Sequence, residues 1–162
     1  MQAIVERQPA FEAFYRQTRP EALRTVVFVL NDPDLAVDAV DEALVRAYER
    51  WDDLAGSVNL TGWVIRVAVN FGRNRQRRRL LERRKPLVSR DPSPDLSAVA
   101  DPALARALAR LDFDQRTVVV LRFHLDWSLD QIATALEIPP GTVKSRLHRG
   151  LRRLETLLKE TR

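Results

Sequence analysis

The sequence predicts an all-α protein built from two helical domains that an extended linker joins. Helix-start signals recur along the chain, apolar residues recur at three- and four-residue spacing, and a stretch rich in proline interrupts this pattern. The run TVVVL at 117–121 has strand-forming residues, but it lies between a helix cap and a turn, so we predict a helix there. We place the domains at 1–85 and 101–162, with the linker at 86–100.

The first domain contains three predicted helices. Pro20 fits the first position of a helix that ends near Leu30, and Asp32 followed by Pro33 opens the next helix. Asn59 is a predicted cap for a third, long helix that continues into an arginine-rich run. The second helix has one apolar face, which leaves a strongly acidic face outside. The apolar face comprises Ala36, Ala39, Val40, Ala43, Leu44, Ala47, Tyr48 and Trp51.

The second domain begins at Asp101 and Pro102, which repeat the cap-plus-proline signal. Asp112 with Gln115, and Ser128 with Gln131, have the spacing of capping boxes. A short helix at 129–136, a turn at 137–139 and a second amphipathic helix then have the form of a helix-turn-helix. The residues predicted to face inward on that second helix are Val143, Leu147, Leu151 and Leu154.

Composition excludes several classes of protein. The 162 residues contain no Cys, so disulfides, Cys-ligated metals and thiol nucleophiles are impossible. His124 and His148 lie in separate elements and no catalytic motif is present, so we expect no enzyme activity, no metal and no cofactor. The longest apolar run that we find, 26–30, is too short to cross a membrane, and no signal-peptide core precedes it. We therefore expect a cytoplasmic protein without membrane insertion.

Charge is distributed unevenly along the chain. Residues 1–70 carry 7 basic and 11 acidic side chains, whereas residues 71–90 carry 9 basic and 1 acidic. A second basic zone, 113–162, has 9 basic and 6 acidic side chains. Clustered arginines indicate a polyanionic partner, although codon bias in a GC-rich genome would also raise the arginine count. The excess of acidic side chains in residues 1–70 indicates a second partner, which is a protein.

The second helix of the helix-turn-helix carries polar and basic residues near its N-terminus, away from its apolar face. Such side chains can reach base edges and phosphates in a major groove. The alternative is a helical hairpin whose charged face is merely solvated. The candidate DNA-contacting residues are Thr142, Lys144, Ser145, Arg146 and Arg149.

These motifs together resemble the extracytoplasmic-function (ECF) sigma factors of bacterial RNA polymerase. DQIATAL followed by IPPGTVKSRLHRGLRRL is similar to their region 4. AVDAVDEALVRAYERWDDL is similar to region 2.2, and NLTGWVIRVAVNFGRNRQRRR to regions 2.3 and 2.4. The resemblance covers nearly the whole chain and implies that it directs core polymerase to promoters by recognising the minus-ten and minus-thirty-five elements. It also implies three partners, namely core RNA polymerase, promoter DNA and an anti-sigma factor.

The resemblance assigns roles to particular residues. The acidic helix face becomes the polymerase-binding surface, with Asp38, Asp41, Glu42 and Arg46. The loop before the long helix becomes the pocket for a flipped minus-ten base, a step that costs stacking energy. The long helix carries a stripe that can follow a phosphate backbone. Trp63 could stack on a base, but its place on the apolar face favours burial. The minus-ten residues are Ser57, Asn59, Trp63, Arg66, Asn70, Arg73, Asn74 and Arg77.

Three positions depart from the family pattern. Val37 and Asp41 stand in a motif that commonly has an acidic pair and a Gln, and Glu137 occupies a turn position that often has Gly. The altered acidic motif leaves open a sigma-like, stand-alone DNA-binding regulator that does not bind polymerase. Because Gly tolerates a positive φ, Glu137 in its place predicts a strained or differently shaped turn. An RNA-binding module would need aromatic residues for stacking near 73–85, and the sequence has none there.

Overall fold

A computed structural model describes residues 2–83 and 101–160, and every regular element in these two segments is a helix. The all-α prediction is therefore confirmed. The predicted linker, 86–100, lies outside the described residues. The helices are α1 (Gln2–Leu30), α2 (Pro33–Glu49), α3 (Trp51–Leu54), α4 (Leu60–Arg83), α5 (Pro102–Ala109), α6 (Phe113–His124), α7 (Leu129–Leu136) and α8 (Pro140–Glu160).

In the first domain, α1, α2 and α4 pack against one another around a fully buried aliphatic core. The prediction that a helix begins at Pro20 is wrong, because α1 continues through Pro20 from Gln2. A proline inside a helix removes one backbone hydrogen bond and strains the preceding turn. Burial of Ala22, Val26 and Val29, none of which is exposed, outweighs that cost in the tertiary structure.

The predicted caps of the first domain are confirmed. Asp32 accepts a hydrogen bond from the backbone N–H of Leu35 at 3.0 Å, and Asn59 accepts one from Gly62 at 2.9 Å. Each satisfies a backbone donor that the first helical turn leaves without a partner. These two caps fix where α2 and α4 begin, and therefore where the acidic and basic faces of the domain start.

The second domain packs α5, α6 and α7 around α8. Asp101 caps α5, and Ser128 with Gln131 forms the predicted capping box, so both predictions are confirmed. The capping box predicted for Asp112 is wrong, because its side chain bonds no backbone donor of α6. Its charge instead acts on Arg116, one turn into the same helix.

The buried stripe of α8 differs from the predicted one at a single position. Val143 and Leu154 are buried and Leu147 is half-buried, but Leu151 is 39% exposed. Gly150 and Leu157 are buried instead. Alternating steps of three and four residues match the helical period of 3.6 better than two successive steps of four. The buried stripe therefore continues from Leu147 to Gly150, and Leu151 lies outside it.

The two domains pack against each other, chiefly through α1 and α6. Buried residues of both belong to one continuous apolar cluster, which includes Val26 and Leu30 of the first domain and Val118 and Leu121 of the second. None of the helices that the structure describes is both long and apolar enough to span a lipid bilayer.

Candidate nucleic-acid interface

The N-terminal half of α8 presents most of its predicted DNA-contacting residues to solvent. Lys144, Ser145 and Arg149 are exposed, and Thr142 is half-buried. The Ser145 hydroxyl donates to the Thr142 carbonyl at 3.1 Å, and Arg149 Nε donates to the Ser145 carbonyl at 3.3 Å. These bonds lie within one helical turn, so they leave this face of α8 open to solvent.

Arg146 differs from its neighbours on α8. Its guanidinium forms an ion pair with Asp114 at the start of α6, at 3.1 Å, and only a quarter of its side chain is exposed. Arg146, one of the five residues that the sequence predicts to contact DNA, is therefore already paired within the protein.

Part of the basic stripe of α4 faces the second domain. Arg66 pairs with Glu137 at 2.9 Å, and Arg73 pairs with Asp114 at 3.2 Å, so both face the second domain. Arg73 also lies over the ring of Phe113, with 5.2 Å from the guanidinium carbon to the ring centroid. Sequence spacing placed these arginines on one helix face, but it could not show that a second domain covers that face.

Asn70 and Asn74 lie beside a cleft between α2 and α4. This cleft has a volume of about 310 Å³ and is lined by both polar and apolar side chains. It brings Arg46, predicted as a polymerase contact, to the same place as the two asparagines. It also adds Arg75 and Arg78, which were not predicted as site residues. Helical spacing from Asn74 could have indicated Arg78. The complete lining is Arg46, Val67, Asn70, Phe71, Asn74, Arg75 and Arg78.

The remainder of the arginine-rich run contributes both to structure and to an exposed surface. Gln76 donates to the Leu30 carbonyl at 2.8 Å, and Arg79 pairs with Asp32 at 3.1 Å. These contacts anchor α4 to the corner between α1 and α2. Arg77 is exposed between them.

The loop before α4 is open to solvent. Gly56, Ser57 and Val58 are exposed, and Val58 has no shielding at all. Asn59 Oδ1 already accepts the capping hydrogen bond of α4, so this oxygen has a structural role that does not depend on DNA.

Trp63 is half-buried and packs against the apolar core, as its position on the helix predicts. The Arg50 guanidinium lies 6.0 Å from the centroid of its ring. Trp51 is 8% exposed, so its predicted burial is confirmed, and Trp127 is half-buried against the core.

The acidic face of α2 is partly neutralised within the domain. Arg19 bonds Asp41 through two nitrogens, at 2.9 and 3.4 Å, and hydrogen bonding to this carboxylate raises the pKa of Arg19. Glu42 pairs with Arg46 at 2.8 Å. Asp38 is exposed, and the apolar Val45 beside this face is 54% exposed. Of the four predicted polymerase contacts, Asp38 is the most accessible carboxylate.

Glu137 ends α7 in the left-handed backbone region, with φ 55° and ψ 46°. Glycine adopts this conformation freely, whereas other residues incur a cost on the order of 1 kcal/mol. The sequence-based expectation of strain at this turn thus agrees with the backbone geometry. No group of metal-ligating side chains occurs among the residues that the structure describes.

This geometry defines a class of protein: two helical domains, of which the second contains a helix-turn-helix with exposed basic side chains on its second helix. Family models match the chain twice, "Sigma-70 region 2" at residues 14–81 and "Sigma-70, region 4" at residues 102–154.

Curated relatives agree. The RNA polymerase sigma-E factor of Streptomyces avermitilis is 38% identical over 89% of this chain and 82% of its own length. The ECF RNA polymerase sigma factor SigM of Mycobacterium tuberculosis is 30% identical over 92% and 77%.

Solved structures share the fold. The sigma factor RpoE in complex with the anti-sigma factor NepR, from Bartonella quintana, has a TM-score of 0.76 at 23% identity, covering 94% of this chain and 98% of that one. CnrH in complex with the cytosolic domain of CnrY has a TM-score of 0.71 at 23% identity, covering 94% and 90%.

The chain belongs to the ECF sigma factors of the sigma-70 family. It is a transcription initiation factor that directs core RNA polymerase to promoters through minus-ten and minus-thirty-five elements. The stand-alone regulator is not favoured, because the region 2 model matches the first domain as well.

Proposed function

We propose that α8 reads the minus-thirty-five element through its N-terminal half and that α4, with the cleft beside α2, binds the minus-ten element. The observation that carries this proposal is the exposure of Lys144, Ser145 and Arg149 on one open face of the helix-turn-helix. Cationic and hydroxyl side chains at this position suit both phosphates and base edges.

At the minus-ten element, the cleft between α2 and α4 supports strand binding. Asn70 and Asn74 supply amides that can donate to and accept from bases, and Arg75 and Arg78 supply charge for phosphates. Arg66, Arg73 and Arg77 extend the basic stripe along α4. Ser57, Asn59 and Trp63 lie at the N-terminal end of this stripe, where a flipped base would be held.

We place core polymerase on the exposed face of α2. Asp38 supplies charge there, Val45 supplies apolar area, and Glu42 and Arg46 form a polar rim. Asp41 contributes less to the partner because Arg19 already neutralises it.

The protein supplies binding energy and positioning, while polymerase performs the chemistry, so it is not an enzyme by itself. We also propose that it acts in the cytoplasm, where polymerase and promoter DNA are found. An anti-sigma factor is a further proposed partner, because the structurally similar sigma factor RpoE is in complex with the anti-sigma factor NepR.

Polymerase binding tests the first interface. Fluorescence anisotropy with core polymerase from Streptomyces avermitilis should give submicromolar affinity, and Asp38→Arg/Glu42→Arg should weaken it at least about tenfold. Glu155→Arg/Glu160→Arg changes the same charge on α8 and should bind like the unchanged chain. Equal binding by both double variants would contradict the assignment of the α2 face.

Promoter selection tests the second interface. Holoenzyme should enrich a defined set of fragments from sheared Streptomyces avermitilis DNA, and Lys144→Ala/Arg149→Ala should lose that set. Arg152→Ala/Lys159→Ala removes the same charge from the C-terminal half of α8 and should retain it. Loss of the set in both variants would indicate nonspecific attraction to DNA and would contradict recognition by the N-terminal half.

A further inference from the structure

The C-terminal part of α4 extends beyond the aliphatic core of its domain. Val69 and Gly72 are buried, whereas every side chain from residue 73 to residue 82 is half-buried or exposed. This segment contains five arginines, and those spaced by four residues, such as Arg75 and Arg79, repel each other along the helix. Apolar burial therefore does not hold this segment in place, and its own charge opposes the helix.

Two side chains of the segment reach the corner between α1 and α2. Gln76 Nε2 donates to the Leu30 carbonyl at 2.8 Å, and Arg79 donates to Asp32 Oδ2 at 3.1 Å. One turn before Gln76, Gly72 lies so close to α1 that a methyl group there would overlap the Leu30 side chain. We call the contacts among Leu30, Asp32, Gln76 and Arg79 the corner clamp.

Asp32 has two separate roles in the corner clamp. Its Oδ1 accepts from the backbone N–H of Leu35 at 3.0 Å and caps α2, whereas its Oδ2 accepts from Arg79. The Asp32 side chain is 12% exposed and that of Arg79 is 41% exposed. Water and salt therefore screen this pair less than they screen a pair of fully exposed side chains.

The corner clamp and the candidate minus-ten residues lie on opposite sides of α4. An α-helix turns by about 100° per residue, so Gly72, Gln76 and Arg79 fall within about 60° of one another. The same rotation places a second group of residues, all exposed, at about 140° to 240° from Gly72. This second group comprises Asn70, Asn74, Arg77 and Arg78. A contact that holds the first side on the corner therefore sets the direction in which the second side points.

From these contacts we propose that Asp32, Gln76 and Arg79 are positioning residues for promoter opening, and that Arg79 binds no DNA phosphate although it lies in the arginine-rich run. This role rests on the proposed binding of the minus-ten element by α4. Asp32 supplies the negative charge that keeps the basic end of α4 helical, and the corner clamp fixes the direction of Asn74 and Arg78. One arginine of the run thus serves the fold, while its neighbours are available to DNA.

Neutralising Asp32 distinguishes positioning from simple electrostatics. Removal of an acidic charge near a DNA-binding helix increases the attraction to phosphate and by itself tightens binding. Loss of the corner clamp has the opposite effect, because the basic end of α4 loses its helical order. Asp32→Asn suits this test, since Asn caps a helix as well as Asp does, while the charge that pairs with Arg79 is lost.

Amide hydrogen exchange in the full-length chain measures the order of α4 without DNA. Asp32→Asn and Arg79→Gln should each accelerate exchange of the backbone amides at 77–83 about threefold. Arg79→Lys retains a charge within reach of Asp32 and should exchange like the unchanged chain. The control is Arg78→Gln, which removes the neighbouring arginine from the exposed side and should not accelerate exchange. If Asp32→Asn or Arg79→Gln left exchange unchanged, the proposal would be overturned.

Promoter opening measures the consequence for function. The probe is a DNA fragment that holoenzyme with the unchanged chain enriches, and permanganate reactivity of its unpaired thymines reports opening. Asp32→Asn and Arg79→Gln should each reduce opening about threefold, while their affinity for core polymerase stays that of the unchanged chain. Arg79→Lys should open the fragment normally. Equal losses of opening and of polymerase binding would indicate general destabilisation and would contradict positioning, as would stronger opening by Asp32→Asn.

A double-mutant cycle separates the corner clamp from a phosphate contact of Arg79. If Arg79 acts through Asp32, Asp32→Asn/Arg79→Gln should open the fragment no worse than either single variant, because both changes remove the same pair. A further loss of about threefold on adding Arg79→Gln to Asp32→Asn would show that Arg79 contacts DNA directly, and the proposal would fail.

The Arg78→Gln control also separates this proposal from the proposed function. Arg78→Gln should reduce opening without accelerating exchange, because it removes a cation that faces DNA. Reduced opening in Arg78→Gln with normal opening in Asp32→Asn and Arg79→Gln would overturn the positioning role alone. Normal opening in all three variants, or no enriched fragment with the unchanged chain, would instead contradict minus-ten binding by α4, and amide exchange would still report the corner clamp.

Discussion

The two basic helices of this sigma factor, α4 and α8, are used differently. The N-terminal half of α8 leaves Lys144 and Arg149 exposed, and only Arg146 bonds another element. In α4, Arg79 and Gln76 anchor the helix to its own domain, and Arg73 faces the second domain. The difference shows that a basic sequence identifies a nucleic-acid helix without showing which of its cations are available.

The strongest destabilisation that we predict concerns a buried arginine at the contact between the two domains. Arg116 is 7% exposed and donates to carbonyls at the ends of two helices, Val29 of α1 and Ala109 of α5, as well as to Leu111. Burial lowers the pKa of Arg116 to about 10, so it remains charged at neutral pH.

Arg116→Met should therefore lower the free energy of unfolding by about 3 kcal/mol, because it leaves buried carbonyls without donors. It should also expose the α4 stripe. Arg122→Met, which loses an exposed pair with Asp126 and a contact with the Phe123 ring, should cost about 1 kcal/mol or less. Chemical denaturation measures both, and equal losses would contradict the anchoring role.

The next effect compares glycines in the two helices. A methyl group at Gly72 of α4 would lie 2.6 Å from Leu30 Cδ2, whereas one at Gly141 of α8 would meet nothing within 4 Å. Leu30 is 2% exposed and cannot move aside easily. Gly72→Ala should cost about 2 kcal/mol and Gly141→Ala should gain a few tenths of a kcal/mol. Thermal unfolding that showed destabilisation by Gly141→Ala would contradict the open surroundings of α8.

A smaller effect separates capping from DNA recognition at Asn59. Asn59→Ala should lower stability by about 1 kcal/mol because the Gly62 N–H loses its acceptor. Asn59→Ser should retain most of that stability, since a hydroxyl also caps, while it removes the amide offered to a base. Comparing unfolding with promoter binding for both variants decides the role. Full promoter activity of Asn59→Ser would contradict base recognition by the amide.

The smallest effect concerns pH at the domain interface. The His124 ring lies edge-on to Phe28 of α1, with centroids 5.1 Å apart. Burial and the nearby Arg24 lower the pKa of His124, while Glu21 opposes them. The packed state thus favours the neutral ring, so its stabilisation is complete above the ordinary histidine pKa of about 6.5 and declines as pH falls through the lowered value.

Melting temperatures at pH 7.5 and 5.5 test this sign. The unchanged chain should lose more than His124→Phe, which retains an aromatic ring but cannot titrate. The difference should be small because the His124 ring is still partly exposed. Parallel losses in the two proteins would contradict a role for His124.

Local chemistry explains which parts of the fold were predictable. The caps at Asp32, Asn59, Asp101 and Ser128 were correct, because a cap depends on residues within three positions. The prediction from Pro20 was wrong because it used only the local preference of proline for a helix start. Contacts of α1 with the distant helices α2 and α4 override that preference. The correct helix-turn-helix bounds depend on local signals as well.

The all-α class, the caps at Asp32, Asn59, Asp101 and Ser128, and the basic character of α4 and α8 could be predicted from the sequence, since these follow from short-range spacing and side-chain charge. Which cations are free depends on the tertiary structure. The pairing of Asp41 with Arg19, and of Asp114 with Arg73 and Arg146, joins residues more than twenty positions apart. Such pairs depend on how helices dock, and helical periodicity within one segment contains no information about the docked partner.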